Sequence, residues 1–304
     1  MTVMKRNVIA LILLTLGISP LVQGTPANAE DAVRIGVLAK RGARKCLEKW
    51  GETGKYLEEK LGRPVEIIPL TFVQIEPKVA AKEIDFVLAN SAFYAVLEKK
   101  HDVRAVASLI NSRRGNALST FGGVIFVRAD SPIQSLEDIK GKKFMCVKRS
   151  SFGGGHMAWR LLLENGIDPD KDCAEFVEGK KHDNVVLAVR AGAVDVGTVR
   201  TDTLERMAAE GAIKLDEFRV LNELKDDYPF VRSTQLYPEW PMAACKHTPE
   251  DTAVAVAKAL KDLGTDEAAA KAAQVVGWSE SLDYGPVTEC LIEIKYDVFA
   301  EDVQ

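Results

Sequence analysis

HDNVVLAVRAGAVDVGTVR, residues 182 to 200, passes from a helical stretch at Asn184 to Arg190 into an apolar strand, Asp195 to Val199, that ends on a charge at Arg200. An earlier stretch, EIDFVLAN at residues 83 to 90, has the same shape. A shift of 110 lays Ile84-Asp85-Phe86 over Val194-Asp195-Val196 and Asn90 over Arg200; a shift of 108 lays Ala39-Lys40-Arg41-Gly42 over Val147-Lys148-Arg149-Ser150. Each half thus offers a first strand ending in Lys-Arg, and a later strand ending in a polar residue followed by a helix-capping hydroxyl. This weak internal repeat predicts two similar lobes facing each other across a cleft.

Working outward, β-type and helical runs alternate. Arg34 to Ala39, Pro64 to Leu70, Asp85 to Asn90, Val103 to Leu109, Phe121 to Arg128, Lys143 to Val147 and Ala174 to Val177 read as strands. Between the first two, Leu47, Trp50, Gly54, Leu57 and Leu61 recur on one helical face, and Val73 to Lys82 reads as the next helix. Helical runs at Thr252 to Leu263, Asp266 to Val276 and Val287 to Phe299 close the chain. Short strands separated by helices predict an α/β fold in which each lobe is a mostly parallel sheet flanked by helices.

The 304 residues are 47% hydrophobic and 28% charged, an ordinary globular balance that excludes collagenous, coiled-coil and multispan membrane chains. Forty Lys and Arg against 44 Asp and Glu give −4, so no global basic field draws the chain to nucleic acid. A local basic site is compatible with that sum. Lys5 and Arg6, the apolar run Val8 to Leu16 and the small residues Ala27-Asn28-Ala29 read as a signal peptide over residues 1–29, which implies export to the periplasm. Removing it takes two basic residues and no acid, moving the charge to −6. The five cysteines, Cys46, Cys146, Cys173, Cys245 and Cys290, are too scattered for a disulfide framework and contain no CxxC. No cofactor or metal motif is present, and a monomer is the default expectation.

Ligands of open α/β sheets bind beyond the carboxyl ends of the strands, where helix N-termini also point. Three loops there carry anion chemistry. In Lys148-Arg149-Ser150-Ser151-Phe152-Gly153-Gly154-Gly155, small residues expose backbone N–H groups and Ser150 or Ser151 caps or donates; the same run also reads as an ordinary glycine-rich turn. In Gly179-Lys180-Lys181-His182-Asp183, His182 donates to an oxyanion while Asp183 caps a helix, or His182 is itself a solvated capping residue. At Val199-Arg200-Thr201-Asp202, the Arg200 fork suits a carboxylate, phosphate or sulfonate, against the simpler reading of a pair with Asp202 or Glu205; Thr201 begins the next helix. The first half supplies Arg41, Asn90, Ser91 and Tyr94, with Phe72 and Phe121 as aromatic walls, although each aromatic taken singly is more often core.

RIGVLAKRG at Arg34, EIDFVLANSAFY at Glu83, SLEDIKGKKF at Ser135, SSFGG at Ser150, HDNVVLAVRAGAVDVGTV at His182 and TQLYPEW at Thr234 together resemble the periplasmic phosphate, phosphite and phosphonate-binding proteins of ABC importers, a branch of the type II periplasmic binding fold. FGGVIFVRAD at Phe121 and GTVRTDTLERMAAEG at Gly197 are most similar to a subgroup found as the sensing part of histidine kinases and cyclases. With no kinase region after Gln304, the resemblance implies the free-standing form. It further implies a first lobe of residues 30–121 plus 236–304 and a second of 122–235, joined by hinges at Gly122-Gly123 and Ser233-Thr234-Gln235. By resemblance, Ser150, Ser151, Phe152 and Gly153 fall on the phosphonate loop, His182 and Asp183 on a His-Asp pair, and Tyr94 on a site aromatic. Arg200 stands where aminophosphonate binders place an acid, which favours an anion without an amine. The partners implied are a small anionic ligand and either the permease of an ABC importer or a membrane sensor kinase. A third reading makes Cys46 the nucleophile of a cleft enzyme, although no His motif points to it.

Overall fold

The computed structural model describes residues 32–300, so the reading of residues 1–29 as a signal peptide lies outside it. The chain begins with β1 (Val33–Leu38), α1 (Ala43–Leu61), β2 (Val65–Leu70), α2 (Phe72–Ala80), β3 (Phe86–Leu88), α3 (Ser91–His101), β4 (Arg104–Arg113), β5 (Asn116–Leu118) and β6 (Thr120–Phe121). It then crosses to β7 (Gly123–Arg128), β8 (Lys143–Cys146), α4 (Met157–Glu164), α5 (Pro169–Asp172), β9 (Glu175–Glu178), α6 (His182–Arg190), β10 (Val196–Arg200), α7 (Thr203–Ala209) and β11 (Phe218–Leu221). It returns through β12 (Tyr237–Pro238), β13 (Pro241–Ala244), α8 (Glu250–Lys261), α9 (Ala268–Ala273), β14 (Val275–Ser279) and α10 (Gly285–Glu293).

Two sheets result. The first has the order β14-β4-β13-β3-β1-β2 with β5 beside β4, and the second runs β11-β7-β10-β8-β9. Their shared part follows one plan, since β2-β1-β3-β13 and β9-β8-β10-β7 each place an antiparallel strand beside a parallel trio. This is the architecture expected of two related halves. Most strands of each sheet point the same way, as expected, and the reversed ones are β13, β14 and β5 in the first and β7 in the second. Within each lobe the strands of successive βα units run parallel, whereas the strand entering from the other lobe arrives pointing the opposite way.

Two expectations fail at the C-terminal end. The helix expected over Asp266 to Val276 is only α9, because Gln274 takes a left-handed conformation (φ +53°) and caps it. The β-branched and aromatic run after that cap then pairs with β4 as β14. The long run to Phe299 breaks likewise: α10 ends at Glu293, Lys295 has φ +50°, and only a short turn, Asp297–Ala300, follows.

The hydrophobic clusters track the sheets. Along β7, Val124 and Phe126 face one cluster and Ile125 and Val127 the other, the two-residue period of a strand buried on both sides. At the crossings, β6 pairs antiparallel with β12. Thr201 N donates to Gly122 O at 2.9 Å, Gly123 N to Thr234 Oγ1 at 2.9 Å and Ile125 N to Ser233 Oγ at 2.8 Å. A second seam joins α4 to α10, where Arg160 donates to Tyr237 Oη at 3.3 Å and to Pro286 O at 3.4 Å. No helix among the described residues is long and apolar enough to cross a membrane.

Candidate functional site

The loops after β1, β2 and β3 leave the carboxyl edge of one sheet, and those after β8, β9 and β10 leave the same edge of the other. Arg200 closes β10 at the point where these edges meet. Its guanidinium, 14% exposed, donates to Glu239 Oε1 at 2.8 Å and stacks 4.4 Å over the Phe121 ring. Its Nε lies 3.4 Å from Asp202 Oδ1 without hydrogen-bond geometry. Burial works against the Arg200 charge, but Glu239 and Asp202 outweigh it and raise its pKa. Glu239 is fully buried; desolvation would keep it neutral, yet Arg200 and Arg113 hold its carboxyl below the usual range.

Further cations from the first lobe surround this pair. Lys40, just past β1, places its ammonium 4.2 Å over the Trp240 ring. Its residue is exposed as a whole, but the ammonium is crowded by protein, and that desolvation, together with Arg200, Lys49 and Arg113, pushes its pKa down to about 7. Lys49 on α1 is pushed down to about 8, by burial first and then Arg113. Arg113, at the end of β4, reaches Asp202 at 3.5 Å across the cleft. Arg41 lies in the exposed turn before α1 and makes no ion pair with a described residue.

On the facing side, Gly153 and Gly154 pack where no side chain fits. A Cβ on Gly153 would stand 2.7 Å from Phe121 Cε2 and 3.0 Å from Arg200 Cβ, and one on Gly154 would stand 2.9 Å from His182 Cε1. The glycine run therefore lets this loop lie against Arg200 and His182. Phe152 to His156 forms a single wide turn leading into α4. Neither the Ser150 nor the Ser151 hydroxyl hydrogen-bonds to a described residue, and both are half-exposed. His182 Nδ1 accepts the Arg200 backbone N–H at 3.3 Å. Burial, then Lys40, Arg200, Arg206 and Arg41, hold His182 well below its ordinary pKa, so it is neutral with its proton on Nε2.

Arg41, Phe121, Gly153, His182 and Arg200 are thus neighbours, beside the half-exposed Ser150 and Ser151. Other expected site residues serve the fold instead. Tyr94 is 3% exposed, with its ring 4.8 Å from Tyr284 and its hydroxyl donating to Glu98 at 2.5 Å, so it does not face the cleft. Asn90 is itself the cap of α3, accepting from Phe93 N at 3.0 Å, and the Ser91 hydroxyl donates to Pro238 O at 2.7 Å rather than capping. Phe72 pairs edge-on with Phe93 at 5.5 Å. Phe152 is buried against Tyr237 at 4.9 Å. Asp183 does not cap a helix at Asn184, because α6 already begins at His182; Asp183 sits in its first turn and pairs with Arg206. Thr201 accepts from Gly122 N at 3.3 Å, and α7 starts only at Thr203, after a left-handed Asp202 (φ +71°).

Lys49, Arg113, Glu239 and Trp240 had no local signal and join the site only through the fold, although Glu239 and Trp240 fall within the TQLYPEW stretch. Cys46 is buried and its thiol is pushed up to about 11 by burial, the reverse of what a nucleophile needs. Among the described residues no cluster of His, Cys, Asp and Glu suits a metal.

A family model described as ABC transporter, phosphonate, periplasmic substrate-binding protein matches residues 35–283. The tetrathionate sensor histidine kinase TtrS of Salmonella typhimurium is 32% identical over 228 residues, 74% of this chain and 38% of that protein. The phosphonates-binding periplasmic protein of Escherichia coli is 24% identical over 211 residues, 65% of this chain and 60% of that one. The chain therefore spans less than two thirds of either relative. The binding-protein component of an ABC phosphonate transporter from Pseudomonas aeruginosa superposes with a TM-score of 0.67 at 16% identity, covering 87% of each chain, which shows the type II periplasmic binding fold. With a family match reaching from β1 to the approach of α10, the chain belongs to the phosphonate-binding periplasmic protein family.

Proposed function

We propose that this protein captures a small phosphonate-, phosphite- or phosphate-like anion in the periplasm and delivers it to the permease of an ABC importer. The observation that carries this reading is the charge of the cleft. Lys40, Arg41, Lys49, Arg113 and Arg200 converge there against the carboxylates of Glu239 and Asp202, an excess that an anion would neutralise. In this reading residues 30–121 and 236–304 form one lobe, residues 122–235 the other, and the hinges are Gly122-Gly123, where β6 passes into β7, and Ser233-Thr234-Gln235, ahead of β12. Ser150, Ser151 and the N–H groups of the glycine turn hold the ligand oxygens, His182 Nε2–H adds a neutral donor, and Arg200 supplies fixed charge. Closure brings the first-lobe cations onto the ligand, a population shift favoured only by contacts made in the closed form. The family is one of solute-binding proteins, and the reading involves no catalysis and no cofactor.

A thermal-shift screen with phosphate, phosphite, methylphosphonate, sulfonates, tetrathionate, sulfate and small carboxylates tests it. An anion far above its dissociation constant stabilises the fold by about 3–4 kcal/mol, a shift of several degrees. Arg200→Ala and Ser151→Ala should each abolish the shift, and no response to any anion would sink the proposal. The likeness to a sensor kinase supports a second reading, in which the closed form is recognised by a membrane histidine kinase. Cells lacking the protein would lose uptake of the stabilising anion under the first reading. Under the second they would keep uptake and lose the transcriptional response to it.

A further inference from the structure

We propose that Lys40 is the specificity-determining residue of the cleft, selecting a multiply charged anion and taking up a proton as that anion is captured. This deepens the anion-capture reading and rests on it. Five cations meet two carboxylates around Arg200, and these carboxylates are already committed: Glu239 to Arg200 at 2.8 Å, and Asp202 to Arg113 at 3.5 Å. The charges left over are the ammonium groups of Lys40 and Lys49 and the guanidinium of Arg41, none with an acidic partner among the described residues. A singly charged ligand would leave two of them facing each other unscreened.

Lys40 is the member best placed to respond. Its backbone sits in the turn closing β1, where Lys40 N donates to Leu38 O at 3.1 Å, and its ammonium rests on the face of Trp240 rather than on a carboxylate. The charged groups that act on it come from every neighbouring element: Lys49 of α1, Arg113 of β4, Arg200 of β10 and Glu239 between β12 and β13, with His182 of α6 feeling its charge in turn. Three of those are cationic and one is an acid already bound, so the empty cleft disfavours the ammonium, whose pKa falls to about 7. An incoming anion reverses the balance. The amine then takes a proton from solvent and keeps it while the ligand is held. Trp240 fits both states, because an aromatic face accepts either a neutral amine or an ammonium without demanding a hydrogen bond.

The test is isothermal titration of the wild type, Lys40→Arg and Lys40→Met between pH 6.5 and 8.5, with sulfate and tetrathionate as doubly charged probes, methanesulfonate as a singly charged one, and methylphosphonate, which passes from one charge to two over the range. The ratio of wild-type to variant affinity cancels any protonation of the probe itself. For the doubly charged probes that bind, this ratio should fall about twentyfold across the range, since a required proton is lost about tenfold per pH unit above the amine's pKa. Measured at pH 8 with sulfate or tetrathionate in two buffers of different ionisation heat, the wild type should take up close to one proton per ligand more than Lys40→Arg, Lys49 contributing alike to both. Lys40→Met should narrow the preference for the doubly charged probes over methanesulfonate. Binding whose ratio to the variants is flat with pH overturns the role of Lys40 while leaving anion capture standing. Failure of every probe to bind the wild type at pH 6.5 overturns both.

Discussion

At the residue scale, the anion-capture proposal has Arg200 serve the fold and the ligand together. Its charge is buried beside a fully buried Glu239, so the pair stands or falls as a unit. Breaking such a pair from one side leaves an uncompensated charge, whereas replacing both members is far milder. Arg200→Met should therefore cost about 3–5 kcal/mol in urea unfolding. The double variant Arg200→Met with Glu239→Leu should recover most of that loss without regaining any anion response; a double variant no more stable than the single one would mean that Glu239 is not charged. His156 offers a second prediction. It is buried at the seam between the lobes, with its ring 4.2 Å from Tyr296, and burial pushes its pKa down to about 4. Because the unfolded imidazole takes up its proton first as pH falls, the stability tied to the neutral ring is complete above about pH 6.5 and is lost between there and about pH 4, a total of about 3 kcal/mol. Unfolding free energies of wild type and His156→Leu should converge over that window. Parallel profiles would show that the ring is free to ionise in the folded protein.

At the scale of elements, the glycine turn before α4 separates two kinds of damage. Gly153→Ala drives a methyl into the Phe121 ring and Arg200 Cβ, both held in place by packing, and should cost about 1–3 kcal/mol. Ser151→Ala removes a hydroxyl with no internal partner and should cost under about 0.5 kcal/mol while losing the anion response. Urea unfolding and anion titration of the two variants check this, and a Ser151→Ala protein that still binds would move the anion off this turn. Legibility in the sequence follows the same division. The parallel strands β1, β2, β3, β8, β9 and β10 each carry an apolar run with its own following helix, so local pattern finds them. The short buried strand Pro241–Ala244 lacks β-branched residues and any alternation, and β14 follows an alanine helix from which only the left-handed Gln274 divides it. Of the proposed site, Arg200, His182 and Ser151 are legible because they end strands or open helices. Lys49, Arg113 and Glu239 are not, since nothing in their own neighbourhoods distinguishes a cleft charge from a solvated one. Tyr94 misled because an aromatic beside a cap reads alike whether it faces a ligand or, as here, Tyr284.

At the scale of the molecule, the lobes are linked by more than their two hinges. The hairpin joining β4 to β5 turns at Arg114 (φ +50°) and Gly115 (φ +82°), a pair of left-handed residues that matches the twist of the strands it connects. That turn extends toward α7 of the other lobe, where the Arg114 guanidinium donates to Glu205 O at 2.8 Å beside the Arg113–Asp202 pair. The tie sits at the edge of the cleft rather than on its floor, so it acts on closure without touching a captured anion. A hydrogen bond from a charged donor exposed to water, as this one is, is worth about 0.5–1 kcal/mol, and in the capture proposal, with the arrangement described here as the closed one, that energy favours closure. Arg114→Ala should shift the equilibrium toward the open form and weaken binding of every anion by the same factor, about two- to fivefold, since the affinity falls with the closed population. Its selectivity among anions and the pH profile set by Lys40 should be unchanged. Small-angle scattering of the unliganded protein should show a larger radius of gyration for the variant than for the wild type, and saturating anion should bring the two together. A variant that loses affinity for one anion more than another would place Arg114 among the ligand contacts, and the hairpin would no longer be a latch.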